Sequence, residues 1–369
     1  MKHFVFSADG HVMEPAELFT GGLPASLSEH GIHTRTDGDY IFTFAGEKLL
    51  HRLKRNPRPA PGTEVFGRPH QLGARDISAR LGDMELEGID AEIVFPTTGM
   101  QIYMIENRDA EVASSVLYND WIDRFLGGHL DKFVRCGVLP VRNFDDTVVE
   151  MERLARAGFT AAMLPTQMPA GLPNYNDPSW DRVFDAAQRT NMVMILHTAA
   201  GRADIRPERG PGAAVVNYTS QMCDAVTSLM YLVAGGVLDR FPRAQVAVIE
   251  SGASWLAGLS ERLDETYNGH HMFVQPKLSV PPSEVIKRQV SISFQYDRGC
   301  IMTRSITGTR GLMWGSDYPH HEGTFPNSRK VLEHLFDDIV ISEQEKADIV
   351  GGNAARLFRL RRPEFANAA

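Results

Sequence analysis

Five residues in this chain could act together on a metal ion. Asp9 and His11 stand two positions apart in SADGH, His197 lies in MVMILHT, Glu250 in VAVIES, and Asp317 in LMWGSDYPHH. Alternate residues of an extended strand point to one side, so Asp9 and His11 can converge on one point. Carboxylates and imidazoles that converge from separate strand ends form a ligand set for a borderline divalent ion such as Zn or Mn. Each group has an ordinary reading by itself. A lone Asp-x-His is common, a single histidine can be a hydrogen-bonded core residue, and Asp317 can cap a helix. Their recurrence after independent apolar runs favours a metal site, with Asp9, His11, His197 and Asp317 as ligands and Asp317, Glu250 and His197 as the reacting groups.

Such convergence needs a scaffold that brings strand ends together. Short apolar runs occupy Phe4–Ala8, Ala91–Phe95, Phe133–Leu139, Ala161–Leu164, Val193–Leu196, Gln245–Ile249, Val290–Phe294 and Gly311–Gly315. Nearly continuous apolar character marks parallel strands covered on both faces. Helical periodicity separates them at Asp109–Gly127, Phe144–Ala157, Pro178–Thr190, Gln221–Phe241 and Ser283–Arg288, and Asn327–Phe336 follows with Asn327 as its cap. Eight strands alternating with helices predict an α/β chain folded as a (β/α)8 TIM barrel, whose catalytic groups come from the C-terminal strand ends. An open doubly wound sheet would want a Gly-rich phosphate loop after its first strand, and no G-x-G-x-x-G is present.

The chain reads as a single barrel domain over 1–369, with three additions. Residues 31–75 predict an inserted hairpin and loop, from the alternation of Tyr40, Phe42 and Phe44 with Ile41, Thr43 and Ala45. Residues 199–218, rich in Gly, Pro and Arg, predict a long active-site loop. Residues 342–360 predict a C-terminal helix opened by a capping box of Ser342 and Glu345. Arg202, Arg206 and Arg209 could pair with a substrate carboxylate. Trp255, Phe294, Tyr318 and His320 could line a pocket for a ring-shaped substrate, although core packing is the ordinary fate of aromatics.

Composition narrows the function classes. The 369 residues are 43% hydrophobic and 23% charged, with a formal net charge of −8, so no electrostatic case for nucleic acid or an anionic membrane arises. No run approaches the roughly 18 apolar residues of a membrane helix, and MKHFVFSADGH is not a signal peptide. Three scattered cysteines read as reduced thiols, so a cytoplasmic location is expected.

SADGHVMEP, LGDMELEGIDAEIVFPT, FPRAQVAVIESGASW and, most specifically, MWGSDYPHHEGTFPNS resemble the amidohydrolase-related family of the amidohydrolase superfamily, which includes aminocarboxymuconate-semialdehyde and γ-resorcylate decarboxylases. The resemblance extends from about residue 5 to residue 358 and implies the same ligands: Asp9 and His11 on the first strand, His197 on the fifth and Asp317 on the eighth. Binuclear members of the superfamily use a carbamylated lysine at the fourth strand. Here that end reads AAMLPTQ, which implies one ion. The decarboxylases usually have histidine at the end of the sixth strand, where this chain has Glu250.

Two chemistries fit. In non-oxidative decarboxylation of a small aromatic or enol acid, Asp317 or Glu250 protonates the carbon that loses CO2. In hydrolysis of a C–N, C–O or C–C bond, Asp317 accepts a proton from a water acidified by the ion. The resemblance favours the first, and also implies a homodimer or homotetramer. A barrel that binds a ligand without turnover is the reading from outside enzymology.

Overall fold

The computed structural model describes residues 3–54 and 72–362. Its strands in chain order are β1 Phe6–Ser7, β2 Ile32–Asp37, β3 Tyr40–Ala45, β4 Lys48–Lys54, β5 Ala91–Val94, β6 Phe133–Val138, β7 Ala161–Leu164, β8 Val193–His197, β9 Gln245–Ile249, β10 Val290–Phe294 and β11 Leu312–Trp314. Eight of them form one sheet in the order β1-β5-β6-β7-β8-β9-β10-β11, with every neighbouring pair parallel. The two edges meet through Ala8 N–H to the Trp314 carbonyl, 2.9 Å, and a parallel bridge between Gly10 and Tyr318. The result is a (β/α)8 barrel, as the alternation of strands and helices predicts.

The barrel strands are apolar almost throughout because both faces are covered. Residues of β5, β6, β7, β8 and β10 are buried at every position. The intervening helices begin on polar caps. Asn107 accepts from Ala110 N–H ahead of helix Arg108–Leu126, and Asn143 accepts from Asp145 and Asp146 N–H ahead of Phe144–Arg156.

Several sequence expectations are corrected in detail. The insertion is a three-stranded antiparallel sheet, β2-β3-β4, rather than a hairpin followed by loop. Both of its turns are two residues long and begin with a glycine at positive φ, Gly38 at 55° and Gly46 at 56°. The strand before the first turn is polar: β2 is IHTRTD and largely exposed. Residues 55–71 of that insertion lie outside the described residues. The helix expected over Gln221–Phe241 is split by Gly235 and Gly236 into Met222–Ala234 and Val237–Arg240. Asn327 precedes helix Ser328–His334 without a capping bond from its side chain. Ser342 and Glu345 make the reciprocal capping box, but the C-terminal helix passes through a π turn at Asp348–Gly352 before continuing as Asn353–Leu357. Gly351 packs there against the backbone of Phe4 and Phe6, and a side chain at this position would meet that backbone. The segment 199–218 is not loop throughout, because Ala213–Thr219 forms a short helix.

Candidate active site at the barrel mouth

Where the barrel closes, β1 and β11 continue past their last ladder residues. His11 N–H donates to the Tyr318 carbonyl at 2.6 Å, and Asp317 N–H to the Asp9 carbonyl at 3.0 Å. Those two bonds set Asp9, His11 and Asp317 side by side. Gly315 makes the approach possible, since a Cβ there would lie 2.7 Å from Asp9 Cβ. His197 ends β8 and enters the same space: its Nε2 is 3.5 Å from Asp9 Oδ1, as is His11 Nε2. His11 Nε2 is also 3.6 Å from Asp317 Oδ1.

The two imidazoles are held in one tautomer. His11 Nδ1 lies 2.9 Å from the Pro96 carbonyl, and His197 Nδ1 lies 2.9 Å from the Thr198 carbonyl. A carbonyl only accepts, so each Nδ1 has the proton and each Nε2 turns a bare lone pair inward. Both Nε2 atoms are buried without a hydrogen-bond partner, together with both carboxylate oxygens of Asp9 and of Asp317. Six acceptor atoms that lack any donor are costly inside a protein unless something cationic sits between them. This donor set fits a divalent ion. Its ligand atoms also fall into two overlapping groups, Asp9–His11–His197 and His11–Glu250–Asp317–His320, each within 4.8 Å. His11 is common to both and has one free nitrogen, which favours one ion over two.

Crowded acids shape the electrostatics. Burial, then the charges of Asp9 and Glu322, pushes the Asp317 carboxyl well above its ordinary range. Burial and the Asp317 charge raise Glu250 to about 8. Burial also lowers His11 to about 3, which keeps it neutral as a ligand must be. For Asp9, burial acts upward, but the imidazoles of His11 and His197 beside it outweigh that and hold the carboxyl low. Glu250 and Asp317 sit at φ 60° and 55°, a backbone region that costs non-glycine residues about 1–3 kcal/mol and gathers at working sites.

Of the expected pocket residues, His320 is at the site. Its Nδ1 is 2.9 Å from Asp317 Oδ1, and its ring stacks on His11 at 4.3 Å. The others have different surroundings. Arg202 pairs with Asp224 at 2.9 Å and braces the loop against helix Met222–Ala234. Phe294 is fully buried in the core. Tyr318 turns its hydroxyl to Asp83, 2.6 Å away, and lies over Arg80. Trp255 donates its Nε1–H to the Ser251 carbonyl and is half-buried at the start of helix Trp255–Gly269. Arg206 and Arg209 are exposed in the loop.

Three contributors were not legible in the sequence. Arg80, fully buried, forms an ion pair with Glu92 and donates to the His11 carbonyl at 2.7 Å, from a helix, Ile77–Glu87, that was not among the expected elements. Tyr218 lies within the segment expected as loop and places its hydroxyl 2.7 Å from Glu250 and 2.6 Å from Glu322. Glu322 follows the histidine pair, and its acidity beside Asp317 was the one available signal.

The barrel has counterparts among solved structures. An amidohydrolase from Mycobacterium avium subsp. paratuberculosis K-10 superposes with a TM-score of 0.80 at 18% identity, covering 97% of this chain and 100% of that one. The 5-carboxyvanillate decarboxylase of Sphingomonas paucimobilis gives 0.69 at 20% identity, over 97% and 100% of the two chains. A dihydroxybenzoic acid decarboxylase of Polaromonas sp. JS666, solved with bound manganese and 2-nitroresorcinol, gives 0.68 at 15%, over 99% and 100%. These likenesses show a common fold. The sequence model for the amidohydrolase family matches residues 78–360, which takes in β5 through β11 and the ligand candidates His197 and Asp317. With a closed barrel, inward-facing unpartnered donors at its strand ends and that match over most of its length, this chain belongs to the amidohydrolase family.

Proposed function

We propose that this protein is a mononuclear, divalent-metal-dependent carboxy-lyase acting on a small aromatic or enol carboxylic acid. The observation that supports it most directly is the ring of buried, unpartnered donors beside acids able to hold a proton at neutral pH. Asp9, His11, His197 and Asp317 would hold the ion. When bound, it supplies positive charge that fixes the substrate's oxygens and stabilises the charge that develops on them.

The chain's own groups then handle the proton. Asp317 or Glu250 delivers it to the ring or enol carbon, the bond from that carbon to the carboxylate breaks, and CO2 leaves with no oxidant involved. His320, against Asp317, borders the space where the reacting carbon would sit. Relatives of the same fold that decarboxylate hydroxybenzoates support this choice, and bound manganese in one of them favours Mn over Zn. Glu250 in place of the histidine expected from the family resemblance supports one second reading, hydrolysis of a small cyclic or aromatic substrate. Cytoplasmic location and assembly as a homodimer or homotetramer belong to the same proposal. Among the described residues no helix is long and apolar enough to cross a membrane.

Metal analysis of the purified protein, with CO2 release measured from ortho-hydroxybenzoates and related enol acids, tests it. Near-stoichiometric Mn or Zn and CO2 release are expected. Release of acid from esters or amides, with no CO2 from any substrate, would sink the lyase and favour hydrolysis.

A further inference from the structure

We infer that Tyr218 is a positioning residue whose hydroxyl clasps Glu250 and Glu322 across the barrel mouth and so sets where the Glu250 carboxylate points. This rests on reading the mouth as a metal-dependent active site. Helix Ala213–Thr219 is two turns long, and its outer face is solvent: Val215 and Val216 are 71% and 51% exposed. Behind it, Asn217 is tied to Glu208, which fastens the helix to its own loop. Tyr218 reaches the other way, its hydroxyl lying 2.7 Å from Glu250 Oε1 after β9 and 2.6 Å from Glu322 Oε1 after β11, with its single proton donated to one of the two at a time.

Glu250 needs such a tie. Its Oε2 lies 3.6 Å from His197 Nδ1, but that nitrogen already donates to the Thr198 carbonyl. The phenol on Oε1 is therefore the hydrogen bond that orients the carboxylate. Released from it, the carboxylate is free to swing inward and add a ligand to the ion. The clasp keeps Glu250 beside the ion's ligands as a separate group.

Tyr218→Phe keeps the ring and removes the hydroxyl that lies between the two carboxylates. The expected result is unchanged Mn stoichiometry, an altered Mn EPR spectrum and Mn affinity, and a kcat reduced about tenfold, within the range seen for coupled neighbours. In a Glu250→Ala background, which has no side-chain oxygen for the phenol to orient, the same change is expected to alter neither spectrum nor rate. Glu322→Gln, at an exposed residue, is expected to give part of the effect and covers the case in which Tyr218→Phe folds poorly. Additive effects in the double variant, or a spectrum and rate untouched by Tyr218→Phe, would overturn the clasp. His197→Ala is the control: Mn binding unchanged there overturns the metal-site reading and this inference with it, whereas Mn lost there alongside additive effects overturns the clasp alone.

Discussion

His11 and His197 are each fixed by one ring nitrogen and open at the other. Carbonyls of Pro96 and Thr198 accept from the Nδ1–H groups, so the inward lone pairs are a consequence of backbone on the neighbouring strand and one residue away, respectively. Fixing the tautomer in this way raises ligand basicity, and loss of an outer partner alone typically lowers metal affinity roughly 10–100-fold. Truncation of the ligand itself is the larger lesion. His197→Ala is therefore expected to lower metal affinity by more than about 100-fold, measured by metal titration of the apoprotein. Glu250→Gln is expected to keep the ion and lower kcat by roughly 100-fold, the scale of lost acid–base catalysis. An empty site in Glu250→Gln would instead make Glu250 a ligand.

At the scale of elements, the seam between β1 and β11 is where the barrel closes and where three of the four ligand candidates meet. Its tightness depends on Gly315, over which Asp9 lies with no space for a methyl group. Gly315→Ala is expected to cost about 1–3 kcal/mol through overpacking and to weaken metal binding as Asp9 is pushed aside. Gly82 is the contrasting case, in helix Ile77–Glu87 with no neighbour within 4 Å of an added Cβ. Gly82→Ala is expected to stabilise by about 0.5–1 kcal/mol and leave the metal untouched. Denaturant midpoints and metal titrations of the two variants check both. Equal metal affinity in Gly315→Ala and the parent would show that the seam tolerates a side chain.

For the molecule as a whole, the pH dependence of stability has a component from outside the reacting groups. Glu111 is fully buried behind β6, one of its oxygens accepts from Arg142 N–H, the other lacks a partner, and burial raises its carboxyl to about 7. The folded protein therefore keeps a proton that the unfolded chain releases near 4.5. Stability from this group is full below that value and declines as pH rises toward 7, by roughly 3 kcal/mol at about 1.4 kcal/mol per unit. Glu111→Gln removes the titration. Thermal unfolding of variant and parent is expected to coincide near pH 4 and to favour the variant at pH 8. A gap of equal size at both values would rule out Glu111 as its source.

The barrel and the positions of its strands were legible in the sequence alone because each strand is covered on both faces. A buried strand of a parallel sheet is apolar for most of its length, so Ala161–Leu164, Gln245–Ile249 and Val290–Phe294 announce themselves without reference to any partner. Polar residues that follow such runs stand out for the same reason, which is how Asp9, His11, His197, Glu250 and Asp317 came to notice. Residues that meet only through folding left no such trace. Arg80 is 69 positions from His11, and Tyr218 is 32 from Glu250 and 104 from Glu322. Read locally, Arg80 is an ordinary helix charge, and Phe294 and Tyr318 are as suited to a pocket as to a core. Which aromatic faces the mouth, which arginine is already paired and which hydroxyl reaches the acids depend on distances between strand ends, and those are set when β11 closes onto β1.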